Sequence, residues 1–109
     1  MRLRLTSLFG AFAAATLLAA AGPAIAQDAG ALRLKALAAT CANCHGTQGR
    51  AIDGAAVPGL AGMPATYLVE QLKAFKAGSR PATVMQQLAK GYSDAQIDQV
   101  AAYFAAQKK

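Results

Sequence analysis

The feature that most constrains this chain is the pentapeptide Cys41-Ala42-Asn43-Cys44-His45. Two cysteines three positions apart, followed directly by a histidine, form the attachment pattern of a c-type haem. In such a site the two thiols add to the porphyrin vinyl groups as thioethers, and the histidine binds the iron from one side. The pattern therefore predicts one covalently attached haem, held by Cys41 and Cys44, with His45 as an iron ligand.

Two other chemistries use cysteines at this spacing, and the rest of the sequence argues against both. A structural zinc site needs four ligands, whereas the chain has two cysteines and one histidine. A thioredoxin-like dithiol lies at the start of a helix in an α/β fold, where the helix dipole activates the thiol. Here the pair follows a predicted helix and no segment shows the period of a strand. A dithiol oxidoreductase is kept only as a remote alternative.

Residues 1–26 have the pattern of a secretory signal peptide. Two arginines precede the apolar run 5–21, and Pro23-Ala24-Ile25-Ala26 closes it with an A-x-A cleavage pattern. We expect cleavage there, which leaves residues 27–109 as one small domain in the periplasm with no stable membrane span. A retained membrane anchor is the alternative, but the run is short and ends in small residues. A domain of this size buries a thin core, to which a haem would add an apolar centre.

The hydrophobic pattern predicts an all-α fold, with three to five helices around the haem. Apolar residues recur at helical spacing, and no segment alternates with period two. Helices are expected over residues 29–40, about 64–77, 82–89, and from the capping box Ser93-Asp94-Ala95-Gln96 onward. The glycine-rich segment 46–62 between the first two is a loop. Within it, Val57-Pro58-Gly59-Leu60 follows the attachment site closely enough to fold back over the histidine side of a haem.

The second axial ligand has two candidates after cleavage, Met63 and Met85, because His45 is the only histidine. Met63 follows directly on the loop expected at the histidine side, so the chain would have to cross to the opposite face at once. Met85 follows the second helix and a break at Arg80-Pro81, which gives the chain room to reach that face. We therefore favour Met85. A thioether opposite an imidazole fills both axial positions and raises the reduction potential, which indicates electron transfer and no catalytic residues.

The charge of the mature domain is modestly positive. Losing two of the 11 basic residues with the signal peptide leaves nine against five acidic ones, a net charge of +4. No basic run with interleaved aromatic residues suggests nucleic-acid binding. The basic residues of the second half either form solvated faces or steer an acidic redox partner: Lys73, Lys76, Arg80, Lys90, Lys108 and Lys109.

Across its mature length the chain resembles the class I cytochromes c, in the order of its haem motif, Pro58-Gly59-Leu60, Met85 and the closing Val100-Ala101-Ala102-Tyr103-Phe104. The resemblance implies thioethers at both cysteines, axial His45 and Met85, and a hydrogen bond from His45 to the Pro58 carbonyl. It also implies that the first and last helices cross in contact, setting Leu37 or Ala38 against Tyr103 and Phe104.

A narrower resemblance covers the segment from Tyr67 to Gly78 and the segment from Met85 to Asp94. Both are similar to the cytochrome c4 group and to the cytochrome subunit of flavocytochrome c sulfide dehydrogenase. The latter implies a subunit that accepts electrons from an FAD-containing sulfide-oxidising flavoprotein. The alternative is a freestanding carrier that delivers electrons to a terminal oxidase. In either setting, Tyr67 and Arg80 are expected near the haem edge.

Overall fold

The computed structural model describes residues 28–109, and within that range the chain is helical and contains no strand. Its elements are α1 over residues 28–45, a 3-10 turn at Thr47–Gly49, α2 at Ala65–Ala77, α3 at Met85–Lys90 and α4 at Asp94–Ala105. The all-α prediction is confirmed. The predicted signal peptide, residues 1–26, lies outside the described residues. Between residues 28 and 109, no helix combines the length and apolarity that crossing a membrane requires.

α2 begins and ends within a residue of the predicted range 64–77, and α4 begins at the predicted capping box. α2 ends at Ala77 and is followed by Gly78, whose φ of +79° is the left-handed conformation in which glycine terminates helices. At the start of α4, Ser93 Oγ accepts a hydrogen bond from Gln96 N at 3.2 Å, and Gln96 Oε1 accepts one from Ser93 N at 2.9 Å. The predicted capping box is therefore confirmed.

The boundaries of α1 and α3 differ from the prediction. α1 was expected to end at residue 40 but continues through the cysteine motif to residue 45. α3 begins at Met85 rather than at residue 82, and the residue before it, Val84, has no side chain that caps the helix. Without a capping side chain, apolar spacing alone does not mark where a helix begins.

The core lies where α1, α2 and α4 come together. Phe104 of α4 is 2% exposed and belongs to one buried cluster with Ala38 of α1 and Leu68 of α2, together with Val100 and Ala101. Leu37 and Tyr103 pack against this cluster, so the small residues of α1 and the aromatic residues of α4 share one core. This packing holds the end of α1, which carries the cysteine motif, against the body of the domain.

Candidate haem site

The two cysteines lie on one side of the last turns of α1. Residues three apart on a helix are neighbours on its surface, so continuing the helix to residue 45 brings the thiols of Cys41 and Cys44 to the same side. Cys41 is partly buried, Cys44 is exposed, and both thiols are free. Two free thiols on one helix face, directly before a histidine, meet the requirement for attachment at two neighbouring vinyl groups.

The imidazole of His45 is buried and held in one orientation. Its Nδ1 lies 2.6 Å from the carbonyl oxygen of Pro58. A carbonyl oxygen only accepts hydrogen bonds, so Nδ1 carries the proton and donates it, and the lone pair of Nε2 is left free. This is the tautomer in which a histidine binds a metal through Nε2, and the hydrogen bond fixes the direction of that nitrogen.

Pro58 reaches His45 because the loop folds back on the end of α1. Leu60 N and Ala61 N both donate to the carbonyl oxygen of Gly49, at 2.7 and 3.1 Å. Gly49 is buried and has a φ of +78°. These hydrogen bonds join the 3-10 turn after His45 to the segment that carries Pro58, so both partners of the 2.6 Å contact belong to one hydrogen-bonded unit.

A second set of polar contacts surrounds Cys41. The hydroxyl of Thr40 donates to Leu37 O at 2.7 Å, so it accepts a hydrogen bond from the hydroxyl of Tyr92, 2.5 Å away. Thr40 Oγ1 also lies 3.9 Å from Cys41 Sγ. Burial raises the pKa of the Cys41 thiol, and the Thr40 and Tyr92 hydroxyls partly oppose that rise. Tyr92 thus connects the turn between α3 and α4, through a hydrogen bond, to Thr40, the residue before the first cysteine.

The two candidate methionines have different surroundings. Met63 is partly buried and packs against the core cluster of Leu68 and Phe104, which gives its side chain a packing role. Met85 is the first residue of α3, is partly buried and is separated from α2 by the segment of residues 78–84. The assignment of Met85 as the second axial ligand stays a proposal.

Arg80 and Tyr67 were expected near the haem edge. The guanidinium of Arg80 lies 4.5 Å from the centre of the Phe75 ring, and Nη1 donates to Gln71 Oε1. Arg80 is therefore held against α2 by a cation–π contact and a hydrogen bond. Tyr67, also on α2, is 45% exposed. Their contact with a haem edge stays a prediction.

These residues fit a covalently attached haem. The chemistry of the donor set is complete on the histidine side, where two free thiols adjoin an imidazole whose tautomer leaves Nε2 available. A helical domain with this arrangement belongs to the class of small proteins that bind haem through thioethers. The family model for cytochrome c matches residues 19–108, and the chain belongs to the cytochrome c family. Haem c is its covalent cofactor, and the relatives it matches are named as cytochromes or as electron acceptors.

The relatives that the chain resembles have several different names. It is 40% identical over 72 residues to cytochrome c-554(548) of Halomonas halodenitrificans, which covers 63% of this chain and 86% of that protein. It is 41% identical over 68 residues to the cytochrome subunit of sulfide dehydrogenase of Chlorobaculum tepidum, covering 62% of this chain and 60% of that subunit. A cytochrome c4 structure from Acidithiobacillus ferrooxidans matches with a TM-score of 0.57 and 39% identity, over 61% of this chain and 37% of that one. The chain thus spans less than two thirds of the length of the sulfide dehydrogenase subunit and of the cytochrome c4 structure.

Three residues of the site were not recognised from the sequence. Thr40 and Tyr92 are 52 positions apart, so no local pattern connects them. Gly49 was one of several glycines in a loop, and only its burial between loop and core distinguishes it. A positive φ at a buried glycine is a signal of close approach, but it is visible only in the structure.

Proposed function

We propose that this cytochrome transfers single electrons through a haem held by thioethers at Cys41 and Cys44, with His45 and Met85 as axial ligands. The observation that carries the proposal is the 2.6 Å hydrogen bond from His45 Nδ1 to Pro58 O, which leaves Nε2 free for iron. When bound, the haem supplies a one-electron couple between ferric and ferrous iron. His45 and Pro58 hold the ligand nitrogen in one direction, and Met85 would close the remaining axial position to substrates.

The axial assignment is tested by comparing two methionine variants. Met85→Ala removes the proposed thioether ligand, so we expect loss of the low-spin absorption spectrum of a His/Met haem and a fall in reduction potential. Met63→Ala is the matched control, because it truncates the other methionine of residues 27–109 and leaves the proposed ligand in place. The reverse pattern, with the spectrum lost only in Met63→Ala, would exchange the roles of the two residues.

We further propose that the electron donor is an FAD-containing sulfide-oxidising flavoprotein, with this chain as its cytochrome subunit. The 41% identity to the cytochrome subunit of sulfide dehydrogenase supports this proposal. The surplus of basic residues would favour an acidic docking partner. Affinity purification of the full chain from its native host tests the proposal, which requires a flavin-containing subunit to co-purify in constant ratio with haem.

A freestanding carrier to a terminal oxidase is the second candidate. The match to cytochrome c-554(548) favours it, because this chain covers 86% of that protein and so accounts for almost all of it. For a free carrier, the same purification would return the cytochrome without flavin. Reduced protein would then be reoxidised by membranes that contain the oxidase, and the rate would fall with rising ionic strength if basic residues guide the encounter.

We also propose that the protein acts in the periplasm after cleavage between Ala26 and Gln27. The support is the arrangement of a basic start, an apolar run and the A-x-A pattern in residues 1–26. Mass spectrometry of the haem-containing protein from a periplasmic fraction tests this directly. Residues 27–109 plus one haem is the mass expected, whereas the mass of the full chain would indicate a retained anchor.

A further inference from the structure

We propose that Gly49 is a positioning residue, which holds the Pro58 carbonyl on His45 and thereby helps to set the reduction potential of the attached haem. The inference rests on the proposed role of His45 as an axial ligand. Gly49 itself neither binds the haem nor touches the imidazole. Gly49 would act on the iron ligand entirely through the loop that carries Pro58.

Gly49 closes a ring of hydrogen bonds that begins and ends at His45. Its N–H donates to the carbonyl of Gly46, the residue after His45, at 2.7 Å. Its own carbonyl accepts from Leu60 N at 2.7 Å. Leu60 is two residues from Pro58, whose carbonyl oxygen lies 2.6 Å from His45 Nδ1. Both polar groups of the Gly49 backbone are therefore used to join the histidine turn to the proline segment.

The position has no room for a side chain. A Cβ atom on Gly49 would lie 2.7 Å from Phe104 Cδ1, 3.0 Å from Ala61 N and 3.1 Å from Leu60 Cβ. The φ of +78° adds strain for any residue other than glycine. A methyl group at this point must therefore displace either the Phe104 ring or the segment of residues 60–61.

The Phe104 ring is the more firmly held of the two. It is 2% exposed, lies in the core cluster and meets the Tyr103 ring edge-on, with the ring centres 5.2 Å apart. In the segment of residues 58–61, which is not helical, Pro58 is exposed, Gly59 and Leu60 are half-buried and only Ala61 is buried. Gly49 itself accepts two of the segment's backbone hydrogen bonds. A side chain at Gly49 should therefore displace this segment, and the Pro58 carbonyl moves with it.

Movement of the Pro58 carbonyl changes the electronic character of the ligand. The hydrogen bond from Nδ1 makes the imidazole a better electron donor, and a stronger donor favours ferric over ferrous iron. Lengthening that bond weakens the donation, so the reduction potential should rise. A loss of stability that leaves the bond intact would not change the potential in this direction.

The test compares Gly49→Ala with Gly54→Ala in the haem-containing protein. Gly54 is in the same loop and has nearly the same φ, +77°, but a Cβ atom on Gly54 would have nothing within 4 Å, so it controls for backbone strain alone. At a fixed ambient potential, we expect Gly49→Ala to raise the ratio of reduced to oxidised protein at least threefold, about 28 mV at 59 mV per tenfold for one electron. The Gly54→Ala ratio should match the wild type. Equal ratios in the two variants would overturn the proposal.

A second pair keeps the test decisive if Gly49→Ala does not fold. Phe104→Leu removes the ring against which Gly49 packs, so Gly49 and the segment of residues 58–61 that is hydrogen-bonded to it can shift away from His45. Ile97→Val trims another fully buried residue of α4. In Phe104→Leu only, we expect a raised potential and, in the reduced diamagnetic protein, an upfield shift of the His45 Nδ1 proton resonance. The proposed function is tested separately by His45→Ala. If His45→Ala keeps the low-spin spectrum, the assignment of His45 as a ligand is wrong. If His45→Ala loses the spectrum but neither Gly49→Ala nor Phe104→Leu shifts the potential, only the proposed role of Gly49 is wrong.

Discussion

At His45, one hydrogen bond decides which ring nitrogen is available. Pro58 supplies a carbonyl oxygen, a group that accepts and never donates, so the proton stays on Nδ1. The residue type at position 58 matters less for this bond than the path of the backbone, because the acceptor is a main-chain atom. The chemistry of the histidine is therefore set by a loop conformation.

Thr40 and Tyr92 provide a prediction at the same scale. Tyr92→Phe removes the hydroxyl that donates to Thr40 at 2.5 Å and leaves the ring in place. A hydrogen bond of this kind contributes about 1 kcal/mol to the free energy of unfolding, so we expect the melting temperature to fall by about 4–8 °C for a domain of this size. Thermal unfolding of the haem-containing protein, followed by circular dichroism, measures the change.

The matched control for Tyr92 is Tyr67→Phe, which removes a tyrosine hydroxyl from an exposed position on α2. Its melting temperature should stay within about a degree of the wild type, since surface changes of this kind are worth less than about 0.5 kcal/mol. An equal fall in both variants would mean that the Tyr92–Thr40 contact adds no stability of its own.

Among the elements, α2 and the start of α4 are connected by an ion pair. Asp94, the first residue of α4, accepts a hydrogen bond from Lys76 of α2 at 2.8 Å, and Lys73 lies 4.0 Å away. The hydrogen bond from Lys76, followed by its positive charge, lowers the pKa of the Asp94 carboxyl below its usual value, with a smaller contribution from Lys73. The N-terminal end of a helix favours the same charged form.

This pKa shift predicts that the stability difference between the wild type and Asp94→Asn depends on pH. The pKa of Asp94 is lower in the folded than in the unfolded state. The stability that the ionised carboxylate contributes is therefore fully present above the unfolded-state pKa of about 3.9, and it is lost as the pH falls through the folded-state pKa. Asp94→Asn should therefore be less stable than the wild type at pH 7, and the two should converge in acid. Urea unfolding at a series of pH values measures this.

Asp98→Asn controls for the loss of one negative charge at an exposed position farther along α4. It should not reproduce the pH-dependent difference. High salt should also reduce the effect of Asp94→Asn at pH 7, because the pair is open to solvent and its charges are screened. A difference that persists unchanged in acid would contradict the ion-pair explanation.

At the scale of the whole molecule, the side chains of residues 28–109 form a small core. Four of its eight buried hydrophobic residues are alanines, and Phe104 and Ile97 are the largest that are fully buried. Alanine contributes little apolar surface, so such a core offsets little of the entropy that folding costs. A covalently attached haem adds apolar area that the side chains do not supply.

The haem-free chain should therefore be poorly folded. A Cys41→Ser, Cys44→Ser double variant cannot form either thioether, and we expect it to lose much of its helical circular dichroism at 222 nm and its cooperative thermal transition. Cys44→Ser alone keeps one attachment point and should be intermediate. A double variant that melts cooperatively at the temperature of the wild type would show that the side-chain core suffices.

The sequence predicted most of the elements because their signals are local. The capping box at Ser93 and the glycine after α2 each act on neighbouring residues. The predicted start of α4 and the predicted end of α2 agree with the structure to within a residue or two. The start of α3 was predicted three residues early, since Val84 provides no capping side chain. α1 extends past its predicted end because the helix continues through the motif from Cys41 to His45, which contains no glycine or proline to break it.

The chemistry of this protein could be predicted from the sequence, because the cysteine and histidine motif indicates haem attachment and the helical periodicity indicates a small all-α domain. How His45 is held is visible only in the folded structure, since the partners involved are far apart along the chain. Pro58 is 13 residues from His45, Tyr92 is 52 from Thr40, and Phe104 of α4 lies against Gly49 of the loop. Such contacts depend on loop closure and packing, which no local pattern encodes.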